Sequence, residues 1–282
     1  LQSFTMEYPT GLIIDNEEVE IDFVALDQNG NEIKNFVTLA NQAELNKLTF
    51  TASPGTLTLS EKDDGTAKLV YKDEEIKWSD SRSTDGIARI ASLTSILVGG
   101  GTDNLMLSIE DMARPVAIKE VKMDNVLVEG GSTTILFDNS DDSAFLFIDQ
   151  YGREMDNDKA AAFFAASGAP GILKGSDFAG YKFLVRATFK GTAGYFDFSD
   201  LTAVDEDETV YYMPYDSDLT ITAIGDVPNA LSNFSLKFDI IKIKADDVQS
   251  VSPVRNEDLT IVDISAVRGF TIGDVKKFYV PT

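Results

Sequence analysis

The chain has 282 residues, enough for two ordinary domains, and its 43% hydrophobic and 10% aromatic content supplies packed cores and excludes wholesale disorder. Lys and Arg number 24 against 47 Asp and Glu, a net charge of −23, which excludes nucleic acid and anionic membrane surfaces as partners and favours cations or a basic partner. With no Cys and no His, the chain cannot build thiolate or imidazole zinc sites, disulfides, thiol nucleophiles or Ser-His-Asp triads.

Residues 18–26 open the chain's strand signal. Val19, Ile21 and Phe23 alternate with Glu18, Glu20 and Asp22, the pattern of a half-buried antiparallel strand. The run ends in the turn Asp27-Gln28-Asn29-Gly30-Asn31-Glu32. Asn41-Gln42-Ala43-Glu44-Leu45 is a short helix candidate. Asp64-Gly65 predicts a tight hairpin between Leu57-Thr58-Leu59 and Lys68-Leu69-Val70-Tyr71. The single Trp78 reads as a core anchor. Gly99-Gly100-Gly101 lacks the Lys and Ser/Thr of a phosphate loop and reads as a hairpin turn. A strand then runs through Leu105, Leu107 and Ile109, and Val116-Ala117-Ile118-Lys119-Glu120-Val121 starts afresh after Pro115.

Farther along, Phe145-Leu146-Phe147-Ile148 is apolar on both sides, as a central sandwich strand would be, and ends in Asp149-Gln150-Tyr151-Gly152-Arg153-Glu154. The turn D-Q-x-G-x-E therefore occurs twice, 122 positions apart. Ala-rich residues 158–166 form a second helix candidate after the second turn. Strand alternation resumes at 184–189, 219–224 and 236–240. Leu105 and Leu236 lie 131 apart, close to the spacing of the turns, and suggest equivalent strands. These elements predict an all-β chain of tandem sandwich domains, one over 1–114 and one over 115–246. Residues 247–282 are too few for another sandwich and are read as a partial third copy or terminal strands. Short linkers imply a rod with limited bending.

Three acidic groups offer the oxygens a calcium ion needs. They are Asp138 with Asp141 and Asp142, Asp205 with Asp207 and their neighbours Glu206 and Glu208, and the junction acids Asp111 and Asp246 beside Glu110 and Asp247. The two repeated turns lack a calcium-loop series, and Gly30 and Gly152 are explained by positive φ. No catalytic pair stands out among so many carboxylates, and the chain is read as a non-enzyme. Its short apolar stretches exclude membrane insertion by a helix. It begins at Leu1 without a signal segment and is read as a piece of something longer.

The strand ending in D-Q-x-G-x-E about 25 residues into each domain resembles the bacterial Ig-like domains of Gram-positive surface proteins. In such arrays it is most similar to the assembly region of a surface-layer (S-layer) protein. That resemblance implies an Ig-like fold, a secreted structural protein at the cell surface or cell wall, and self-association into a lattice. It also strengthens the expectation of calcium. The competing reading is an adhesin or carbohydrate-binding module, with Tyr211, Tyr212 and Tyr215 as an exposed contact patch.

Overall fold

A computed structural model of the chain describes residues 1–73, 89–169, 178–191, 193–224 and 234–262. These fall into two compact units, Leu1–Ala113 with Gly168–Gly180, and Arg114–Ser167 with Tyr181–Thr282. Each is an all-β, Ig-like sandwich with one α-helix among its described residues, inserted after the third strand of the first unit and the fifth of the second. Trp78 and the dipeptide Gly225-Asp226, a turn signal in the sequence, lie outside the described residues.

The first unit contains β1 (Ser3–Met6), β2 (Glu18–Ile21), β3 (Phe23–Leu26), α1 (Phe36–Glu44), β4 (Leu48–Ser53), β5 (Thr56–Glu61), β6 (Ala67–Lys72), β7 (Arg89–Leu97) and β8 (Gly101–Ile109). The apolar alternation over 18–26 holds, with Ile21 and Ala25 buried and Glu18, Glu20 and Asp22 exposed. The run nevertheless serves two sheets. Before Asp22 it pairs with β6, and after Asp22 with β1. The sheets are β1-β3, β2-β6-β5 and β4-β7-β8. Between them lie Ile21, Leu39, Leu48, Leu69, Tyr71 and Leu93, all essentially inaccessible to water. Each such side chain contributes about 1.5–3 kcal/mol through burial.

The second unit contains β9 (Pro115–Val121), β10 (Val126–Val128), β11 (Ser132–Phe137), β12 (Phe145–Asp149), β13 (Glu154–Met155) and α2 (Asn157–Ala166). It continues with β14 (Lys182–Lys190), β15 (Phe196–Ser199), β16 (Val210–Met213), β17 (Ser217–Ala223), β18 (Phe234–Lys244), β19 (Asp247–Ser250) and β20 (Arg255–Val262). Its pairings repeat those of the first. The set β13-β12-β9 corresponds to β1-β3 with the bridge Leu26↔Glu32, and β11-β17-β15 to β2-β6-β5. The run β20-β18-β14 corresponds to β8-β7-β4. A parallel contact recurs as well, Ile14↔Glu110 in one unit and β10 beside β20 in the other. Additions in the second unit are β16 outside β14 and β19 beside β18. Its core is aromatic, with Phe137 edge-on to Phe145 at 5.3 Å and to Phe164 at 4.9 Å.

This topology corrects one equivalence read from spacing. Leu236 lies in β18, whose place between two partners matches β7, so the counterpart of β8 is β20. Residues 247–250 and 255–262 pair with β18 inside the second unit. The helix after the first turn also starts earlier than composition suggests. Phe36-Val37-Thr38 are poor helix formers, yet Asn35 caps them by accepting the Thr38 N–H at 2.9 Å.

Candidate functional site

The repeated turn has the same construction in both units. Asp27 N–H donates to the Asn31 carbonyl at 2.9 Å, and Asp149 N–H to the Arg153 carbonyl at 2.9 Å. Gly30 N–H closes on the Asp27 carbonyl at 3.1 Å, and Gly152 N–H on that of Asp149 at 3.0 Å. Both glycines sit at positive φ, +82° and +79°. This is a type I turn followed by a left-handed residue, the common three-residue hairpin loop. The turn at Asp64-Gly65 has the same form, with Gly65 at φ +80°.

The aspartate that opens each repeated turn is occupied by the turn itself. Asp27 Oδ1 accepts the Asn29 and Asn31 N–H groups at 2.7 and 2.8 Å, and Oδ2 accepts Asn31 Nδ2. Asp149 Oδ1 accepts the Tyr151 and Arg153 N–H groups, both at 2.9 Å, and Oδ2 takes the Arg153 guanidinium. The hydrogen bonds from Asn31, side chain first, hold the Asp27 carboxyl below the ordinary aspartate value. The glutamine has a separate use, because Gln150 Oε1 accepts the Arg114 N–H at 2.8 Å where the chain enters the second unit.

The acidic groups are placed as follows. Asp138 accepts the Ser140 N–H and hydroxyl at 2.9 and 2.7 Å, and neighbouring Asp141 and Asp142 face solvent. Asp205 accepts the N–H groups of Thr209 and Val210 at 2.9 and 2.7 Å and the Thr209 hydroxyl at 2.6 Å. Burial pushes the Asp205 carboxyl up, but these hydrogen bonds outweigh it and the net displacement is downward. Asp207 is exposed on the same loop. Asp111 follows β8 and is half-buried. Asp246 is exposed in the two-residue turn between β18 and β19, so it is a hairpin residue rather than a linker acid. Among the described residues, no three acidic side chains gather in a way that could hold a metal ion.

Two further groups bear on the competing readings. Tyr211 is 3% exposed, stacks on Phe198 at 5.1 Å and donates its hydroxyl to the Glu208 carbonyl at 2.9 Å. Burial pushes its phenol up to about 12. Tyr215 packs edge-on against Phe137 at 5.9 Å, and Tyr212 is half-buried. Tyr211 is thus a packing residue, whereas half-buried Tyr212 alternates with it onto the opposite face of its strand. Gly100 closes the hairpin between β7 and β8, where a Cβ would meet Leu97 Cδ2 at 2.3 Å and the Gln2 carbonyl oxygen at 2.6 Å.

One feature escaped the sequence signals. Arg89 Nη1 lies 3.0 Å from Asp15 Oδ2 and 2.9 Å from Asp73 Oδ2, with both carboxylates at most 5% exposed. The partners are 74 and 16 positions from Arg89, and no local pattern links them. In the second unit an open cleft of about 810 Å³ is lined by polar groups that include Lys122, Asp124, Thr134, Arg255 and Glu257. Among the described residues, no aromatic side chain lines it.

No family model matches the chain, and no curated protein matches it. Solved structures do. A structure of the S-layer protein SbsC, domains 4 and 5, is 12% identical, covers 92% of this chain and 96% of its own, and superimposes with a TM-score of 0.32. A longer SbsC structure, domains 4–9, is 11% identical over 96% of this chain and 31% of its own, with a TM-score of 0.36. The Yersinia pseudotuberculosis adhesin InvE is 12% identical over 92% of this chain and 58% of its own, with a TM-score of 0.23.

Proposed function

We propose that this chain is a structural part of a secreted cell-surface protein, the assembly region of an S-layer lattice in which copies associate through their sandwich domains. The observation that supports it is the duplication. Two units share one core of strand pairings and one turn, whose backbone hydrogen bonds match. A copied module with a rigid core and its turn polar groups satisfied internally suits repetition and stacking better than chemistry on a substrate. Burial of Tyr211 and the contact of Tyr215 with Phe137 reduce the aromatic patch on which the adhesin reading rests.

Calcium is part of the proposal. Asp138 and Asp205 already brace their own loops, so an ion there would draw its further oxygens from Asp141 and Asp142 or from Asp207. Light scattering of the purified chain over a concentration series, with calcium and then with chelator, tests both parts. Growth beyond the monomer supports assembly, and its reversal by chelator supports calcium. A chain that stays monomeric throughout, at high protein concentration and with calcium present, overturns the reading.

A further inference from the structure

Among the described strand residues, the outer face of the sheet β4-β7-β8 in the first unit carries no charge. From β4 it presents Thr49, Thr51 and Ser53, and from β7 Ile90, Ser92, Thr94 and Ile96. From β8 it presents Thr102, Asn104, Met106 and Ser108. The buried residues of these strands alternate with them, so all eleven lie on one side. Cross-strand register sets Ile96 beside Thr49 and Thr102, and Ser92 beside Ser53 and Met106. Ile90, Ile96 and Met106 are 53%, 43% and 54% exposed. In a chain where 25% of residues are charged, an outward face without a charge is a departure from the whole surface.

The duplicate unit supplies the internal control. Its matching sheet, β14-β18-β20, turns Lys182, Arg186, Lys190, Lys237, Asp239 and Asp258 to the corresponding side. The shared architecture therefore does not require a neutral face. It is a property of the first unit alone.

We propose that this uncharged face is a self-association surface, and that its occupant is the same face of a second copy of the chain. Charge decides the occupant. Two copies each at −23 repel across most approaches, and a charged face would have to be desolvated against a neutral one. Neutral face on neutral face avoids desolvating a charge, brings no like charges into direct contact and is self-complementary, as a two-fold contact requires. Size sets the strength. Three strands about 4.8 Å apart, two of them roughly 30 Å long and β4 roughly 20 Å, offer about 400 Å² per copy, or about 800 Å² in total. That lies below the range of stable dimers, so the contact is weak alone and gains strength through repetition in an array. The inference rests on the assembly reading and adds the surface that reading lacks.

The test uses the whole chain, which has no native cysteine. Ser92→Cys sits on the central strand of the face, and Asn256→Cys on the charged counterpart serves as control. Under mild oxidation the first is expected to form disulfide-linked dimer several-fold faster than the second. A paired variant, Thr94→Lys with Met106→Lys, is expected to weaken association about tenfold or more in sedimentation velocity, because it sets like charges face to face. Added salt is expected to strengthen the wild-type contact by screening the net repulsion, whereas a salt-bridged contact would weaken. If the chain associates but Ser92→Cys traps no faster than the control and the lysine pair changes nothing, the face is wrong and the assembly reading survives. If neither light scattering nor trapping detects any association, both fail together.

Discussion

Asp27 and Asp149 show what one residue does in this protein. Each accepts two N–H groups of its own turn, so each is a structural acceptor and not a free ligand. Asp27, Asp64 and Asp205 all have carboxyls held below the ordinary value of 3.8. A depressed carboxyl stabilises the fold above its unfolded pKa, and that stability is lost as pH falls through the folded pKa. NMR titration is therefore expected to give midpoints below 3.8 for all three, with the stability that these three groups contribute lost only as pH falls below about 4. Glycine positions separate two physical costs. Gly152 has no atom within 4 Å of a built Cβ, so Gly152→Ala pays only the left-handed backbone cost, about 1 kcal/mol. At Gly55 a Cβ would meet the Lys72 carbonyl oxygen at 2.4 Å, and Gly55→Ala is expected to cost clearly more in urea denaturation. Arg89→Met withdraws the cation from two buried carboxylates and is expected to cost about 3–5 kcal/mol by the same measurement.

At the scale of elements, the two helices occupy the same place in the fold and are held differently. Helix α1 buries only Leu39 and depends on its cap, so Asn35→Ala is expected to cost about 1 kcal/mol. Helix α2 buries Ala160, Ala161, Phe163 and Phe164, and Phe164 meets Phe137 at 4.9 Å. Phe164→Ala removes a ring from a packed aromatic cluster and is expected to cost about 3–5 kcal/mol. Thermal melts of the two variants would order them, and a larger loss for Asn35→Ala would contradict this account. The element scale also explains a misplaced equivalence. Strand β8 alternates over 105–109 and β18 over 234–238, but alternation reports which face is buried and not how many partners flank the strand. The pairings of β18 with β14, β19 and β20 appear only in the sheet.

For the whole molecule, each unit has its own core, Ile21, Leu69 and Leu93 in the first and Phe137, Phe147 and Phe238 in the second. Calorimetry is expected to resolve two transitions. Leu69→Ala should lower one and Phe238→Ala the other, each leaving its partner transition in place. If each variant shifts both transitions equally, the units do not unfold independently.

Length, alternation and the repeated turn were enough to specify an all-β chain built from a copied sandwich. Those signals are local, and a period of two or a glycine at positive φ leaves its mark within a few residues. Turn chemistry at Asp27 and Asp149 was legible for the same reason. The ion group of Arg89 with Asp15 and Asp73, the packing of Tyr211, the use of Asp138 and Asp205 as loop braces and the neutral outer face were decided only by tertiary structure. Each depends on residues distant in the chain meeting in space, or on which side of a sheet a side chain falls once its partners are chosen. Neither is written in the order of residues along a strand.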